Sequence, residues 1–121
     1  MLKVTKFGGS SMASADQYRK VRDIVLSDPD RRVVVVSAAG KRDKHDHKIT
    51  DLLYLCYAHT RYGVDCGQVF DMITSRYLEI RDALGIKLDL ETEFADLKTR
   101  LDEKSVTQDE LVSRGEYFSA K

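Results

Sequence analysis

The sequence predicts an α/β fold on three features near its start: an alternating strand that runs into two glycines, an amphipathic helix, and a run of four valines. Lys3 to Phe7 alternates, carries β-branched Val4 and Thr5, and stops at Gly8 and Gly9, as a strand entering a tight turn does. Ser14 and Gln17 then have capping-box spacing, Tyr18, Val21 and Ile24 or Val25 recur at helical spacing, and Pro29 ends the pattern. A helix over Ala15 to Ser27 follows. Arg32 to Ser37 reads as a second strand, unalternating and so covered on both faces, closed by Ala38, Ala39 and Gly40. Strand, helix and strand make a βαβ unit with a right-handed crossover and parallel strands. Both strands then end at the same sheet edge, which places Ser37 beside Lys6.

Beyond the charged stretch Lys41 to Lys48 the pattern is helical. Thr50 opens a helix through Leu52, Leu53, Leu55 and Tyr57, and the residue itself has the chemistry of an N-cap. A second helix spans Gly67 to Leu84, with Val69, Phe70, Ile73, Tyr77 and Ile80 on one face and Gly85 as its stop. Leu90, Phe94, Leu97 and Leu101 keep helical register in a third. Thr107 and Glu110 form another capping box, opening a fourth helix that runs to Lys121 without a stop signal. Two parallel strands with apolar faces need further strands and helices around them. The chain therefore reads as one part of a larger α/β domain.

Composition excludes little but orders the possibilities. Basic and acidic residues balance at 20 each, which gives no electrostatic case for nucleic acid or an anionic membrane as a partner. The N-terminus lacks a basic-then-apolar leader, so the reading is a cytoplasmic protein. Cys56 and Cys66 lack metal-ligand spacing and read as buried free thiols. His45, Asp46 and His47 alternate on a charged loop, which makes a poor metal cage and reads as a solvated flap. His59, inside a helix, reads as a surface or partly buried histidine.

The strongest local chemistry is Lys6-Phe7-Gly8-Gly9-Ser10-Ser11, between strand and helix. Glycines bring backbone amides close to a ligand and the following helix adds positive potential, so phosphate is a fitting guest. The plainer alternative is a tight strand-to-helix turn with a solvent-facing strand-end lysine. The lysine precedes the glycines, which separates this loop from both the Walker and the dinucleotide patterns.

Lys6 to Ser11 resembles the opening phosphate loop of the amino-acid kinase family, and in particular that of the aspartate kinases, with Ser10 where threonine is commoner. Val36-Ser37-Ala38-Ala39-Gly40, Ile49-Thr50-Asp51-Leu52-Leu53 and Ser113-Arg114-Gly115-Glu116 extend the resemblance in the family's order. The fold this implies is the N-terminal part of an αβα sandwich, without the rest of the kinase domain or the regulatory domains. It implies that Lys6 touches the transferring phosphate, that Gly8, Gly9 and Ser10 hold the ATP phosphates, and that Ser37, Thr50 and Glu116 hold L-aspartate. ATP with Mg2+ would be the cosubstrate and metal, although no metal ligand is assigned to this chain, and a homo-oligomer is expected. The activity implied is transfer of the ATP γ-phosphate to the aspartate side chain, with this chain inactive alone. Alternatives are a related kinase acting on glutamate, acetylglutamate or a nucleotide, against which Ser113 to Glu116 speaks, and a non-catalytic assembly module.

Overall fold

The computed structural model describes residues 1–121. Strand β1 (Lys3–Phe7), helix α1 (Ala15–Leu26) and strand β2 (Arg31–Val36) form the expected βαβ unit, with the strands parallel in a two-stranded sheet. Ser14 begins α1 by accepting a hydrogen bond from the Gln17 amide at 3.4 Å, and Ser27 closes it ahead of Pro29. Between β1 and α1 the chain makes a 3₁₀ turn at Gly9–Met12, which anchors itself through the buried Met12. The paired glycines predict a tight turn here, and only its 3₁₀ form has no sequence signal.

The register corrects one expectation. Lys6 pairs with Val35 and Phe7 with Val36, so Ser37 comes after the last pair and follows the glycines in space rather than Lys6. The valines also differ from the expected two-sided cover: Val33, Val34 and Val35 remain 41%, 41% and 44% exposed within this chain.

The core lies among the helices. Helices α2 (Ile49–Arg61), α3 (Gly67–Leu84) and α4 (Glu91–Asp102) bury Leu53, Ile73 and Leu101, together with Phe70, Tyr77, Phe94 and Leu97. The strand region reaches this cluster only through Ala38 and Ala39. Leu55 of α2 is exposed, unlike Leu52 and Leu53. Gly85 caps α3 with φ of 68°, a left-handed conformation that favours glycine.

The expected last helix is two helices, α5 (Gln108–Val112) and α6 (Arg114–Ala120). Thr107 caps α5 as its spacing predicts, accepting from the Glu110 amide at 3.1 Å. The break comes at Ser113, whose hydroxyl donates to the Glu110 carbonyl at 2.6 Å and competes with the helical ladder there. Helix α6 lays Gly115 against Ala38, so closely that a Cβ on Gly115 would sit 2.6 Å from that of Ala38. Gly115→Ala should therefore destabilise the chain by about 1 to 3 kcal/mol in urea unfolding, as overpacking does. An unchanged midpoint would show that α6 can move away from β2 without penalty.

Candidate functional site: a cleft at the strand ends

Three local arrangements assemble a cleft at the C-terminal edge of the sheet. In the first, the two strand-end loops meet backbone to backbone: the Gly40 amide donates to the Gly9 carbonyl at 2.8 Å. A Cβ on Gly40 would lie 2.7 Å from the Gly9 carbonyl carbon, so only glycine allows this approach. In the second, α2 starts beside the end of β2, with the Ile49 amide donating to the Ala39 carbonyl at 3.0 Å. In the third, Gly115 on Ala38 carries Glu116 to the same place.

The resulting cleft, about 420 Å³, is lined by Gly9, Ser10, Ser37, Thr50 and Glu116, together with Lys41 and Lys48 and the Ala38 to Gly40 backbone. Of the residues expected at a site, these first five meet. Lys6 and Gly8 stand outside the lining; Lys6 is exposed at the end of β1 and makes no ion pair. Ser37 and Thr50 are half-buried and Glu116 is exposed. Thr50 is not the N-cap of α2. Lys48 holds that position without a side-chain bond, because the Ala39 carbonyl already takes the first helical amide. The Thr50 side chain is left to face the cleft.

The loop between β2 and α2 is more structured than its composition predicts. Arg76 of α3, only 4% exposed, donates to the Gly40 carbonyl at 2.7 Å, to Asp46 at 2.5 Å and to the His47 carbonyl at 3.1 Å. Asp46 also accepts from the Arg42 side chain at 2.7 Å and from its backbone amide at 2.9 Å. Asp46 is thus an anchor, and only its histidine neighbours are exposed as a flap would require. An arginine inside an otherwise ordinary helix offers no sequence signal for this role; the charge alternation of the loop could only have raised the question.

Cys56 and Cys66 are buried and free as expected. Burial, with Cys66 beside it, pushes the Cys56 thiol up to about 12, which makes it an inert packing group. His59 lies partly buried in α2 and outside the cleft. No group of three or more His, Cys, Asp or Glu side chains is placed to hold a metal ion, and Glu116 is the one carboxylate in the cleft lining. These residues do not fit a magnesium cage. No helix is long and apolar enough to cross a membrane.

A glycine turn after the first strand, a parallel βαβ unit and a cleft at the strand ends define an α/β class in which ligands sit beyond the carboxyl ends of the strands. The chain belongs to the amino acid kinase family, whose model matches residues 1–121. Aspartokinase 3 of Bacillus subtilis is 45% identical over 85 residues, which cover 70% of this chain and 19% of that protein. The crystal structure of Clostridium acetobutylicum aspartate kinase superposes with a TM-score of 0.90 at 44% identity, covering 95% of this chain and 26% of that one. Escherichia coli aspartokinase III in complex with aspartate and ADP superposes with a TM-score of 0.76 at 29% identity, covering 98% of this chain and 27% of its own. The chain thus spans about a fifth to a quarter of the length of these relatives.

The anchor has a pH signature. Hydrogen bonds from the Arg42 side chain, then backbone amides and the Arg76 charge, hold the Asp46 carboxyl far below its usual range. A depressed carboxyl contributes stability that is complete above the unfolded value of about 4 and is lost as pH falls towards the folded one. Asp46→Asn should cost about 3 kcal/mol at pH 7 by leaving Arg76 buried without its counter-charge. The gap in Tm between wild type and variant should then narrow below about pH 4. A gap constant from pH 7 to pH 2 would show that Asp46 acts by shape alone.

Proposed function

We propose that this chain supplies the phosphate loop and the amino-acid side of an aspartate kinase, which transfers the γ-phosphate of ATP to the side-chain carboxylate of L-aspartate. The observation that carries the reading is the cleft that gathers Gly9 and Ser10 of the glycine turn with Ser37, Thr50 and Glu116. Its support is the fold shared with E. coli aspartokinase III, a protein crystallised with aspartate and ADP.

The chemistry suits these residue types. The acceptor carboxylate, with a pKa near ~4, is already ionised at neutral pH, so no general base is needed. Positive charge and alignment are needed instead. Lys6 and the amides of the glycine turn would stabilise charge on the transferring phosphoryl group, and Glu116 would take the substrate ammonium. The Ser37 and Thr50 hydroxyls would donate to its carboxylates. Mg2+ would enter with the nucleotide and neutralise its phosphates, held by groups other than those of this cleft. In this reading the protein is cytoplasmic, forms a homo-oligomer, and acts at the entry to lysine, threonine and methionine synthesis. Its remaining catalytic parts lie outside these residues, so the chain by itself turns over no aspartate.

A chimera joining residues 1–121 to the remainder of B. subtilis Aspartokinase 3 tests this. The chain alone should be inactive and the chimera active in an aspartate-dependent ADP-release assay. In the chimera, Lys6→Ala should lower kcat on the order of 10²-fold or more while the KM for aspartate stays nearly constant, since its charge matters most in the transition state. Glu116→Gln should raise the KM for aspartate about tenfold and spare that for ATP. A near-normal kcat for the lysine variant, or equal losses for both substrates in the glutamine variant, would remove these residues from their roles.

A further inference from the structure

We propose that Lys41 and Lys48 are carboxylate-holding residues of the cleft, which together with Glu116 match the charges of an amino dicarboxylate one for one. The proposal rests on the aspartate reading above and deepens it, adding two residues to which the family resemblance gave no role.

Loop composition alone would make these lysines solvent charges. Their placement is different. Both line the cleft that holds Ser37, Thr50 and Glu116. Neither forms an ion pair, whereas their arginine neighbours in sequence and space, Arg42 and Arg76, are both bound to Asp46. Of the loop's two carboxylates, Asp46 is taken by the arginines and Asp43 accepts from the His45 amide at 2.8 Å, so neither pairs with the lysines, which keep their charge for whatever enters the cleft.

The loop is also held where it matters. The carbonyls that accept from buried Arg76 belong to Gly40 and His47, the residues immediately before Lys41 and Lys48. One guanidinium thus fixes the backbone from which both lysines emerge, with Asp46 closing the clamp at 2.5 Å. Preorganisation of this kind lowers the entropy lost when long side chains engage a ligand. Charge complementarity then specifies the ligand. The charged lining is Lys41, Lys48 and Glu116, two cations and one anion. Aspartate at neutral pH presents two carboxylates and one ammonium, the inverse set.

Position divides the work between the lysines. Lys41 follows Gly40, whose backbone packs on Gly9 of the glycine turn, so it faces the carboxylate that reacts. Lys48 lies two residues before Thr50 at the start of α2 and faces the other carboxylate.

The test is an NMR titration of the 121-residue chain and its Lys41→Met, Lys48→Met and Glu116→Gln variants with L-aspartate, L-asparagine and succinate, with thermal melts to verify that the exposed lysines leave folding intact. Each lysine variant should bind aspartate and succinate about fivefold more weakly. Lys41→Met should also erase the preference for aspartate over asparagine, and Glu116→Gln should weaken aspartate while sparing succinate. Aspartate binding that depends on Glu116 and not on the lysines would overturn this inference and leave the aspartate reading standing. Lysine-dependent binding of both ligands in which Glu116→Gln leaves aspartate as tightly bound as before would support the lysine pair while removing the amino-acid reading. No binding of any of the three ligands would overturn this inference, and the aspartate reading would then be decided by the chimera assay.

Discussion

The cleft depends on the Tyr77 hydroxyl. This phenol, 3% exposed, accepts from the Ala39 amide at 3.3 Å and donates to the Gly115 carbonyl at 2.8 Å, with the Ser119 hydroxyl 3.2 Å away. One side chain of α3 thereby ties the end of β2 to α6. Those segments carry Ser37 and Glu116, which are far apart in sequence and line one cleft across this joint. Burial raises the Tyr77 pKa above its ordinary value, so the hydroxyl stays a neutral donor throughout the physiological range.

Around that joint the chain accepts two contacts that ordinary side chains would forbid. Gly40 rests on Gly9, and Gly115 rests on Ala38. The first brings the glycine turn up to the end of β2; the second brings the Glu116 backbone to the same edge. Arg76, one residue before Tyr77, holds the loop that follows Gly40. Adjacent residues of a helix point to different sides, and α3 uses this: Tyr77 secures the floor of the cleft and Arg76 its flanking loop. The helical core therefore serves the site as a rigid support. Catalytic constellations require that support, because a small displacement of an aligned group costs much of its effect.

Much of this architecture was legible in the residues. The strand–helix–strand order followed from alternation, capping and the valine run, and the paired glycines marked the turn. The α3 and α4 faces were written in their apolar spacing. Ser37, Thr50, Gly9, Ser10 and Glu116 could be picked out because their residue types occur in a resembling order. Their union in one cleft came from contacts between α6, β2 and α2 that no local pattern encodes. Asp46 was misread as solvated because its partner Arg76 is 30 residues away. The break at Ser113 was missed because the competing bond is a side-chain choice that helix periodicity does not reveal.

What the sequence determined by itself is local. Periodicity 2 or 3.6 decides which face of an element is apolar, small polar residues at fixed spacing decide where helices begin, and glycine decides where backbone may turn or touch. These are short-range steric and hydrogen-bonding rules, so they can be read along the chain. Only the tertiary structure decided that Lys6 stands outside the cleft lining while Lys41 and Lys48 stand within it. It also decided that the Ala39 carbonyl, and not Thr50, satisfies the start of α2. Such outcomes depend on which distant groups compete successfully for the same donor, acceptor or space, and that competition is settled only when the whole chain has packed.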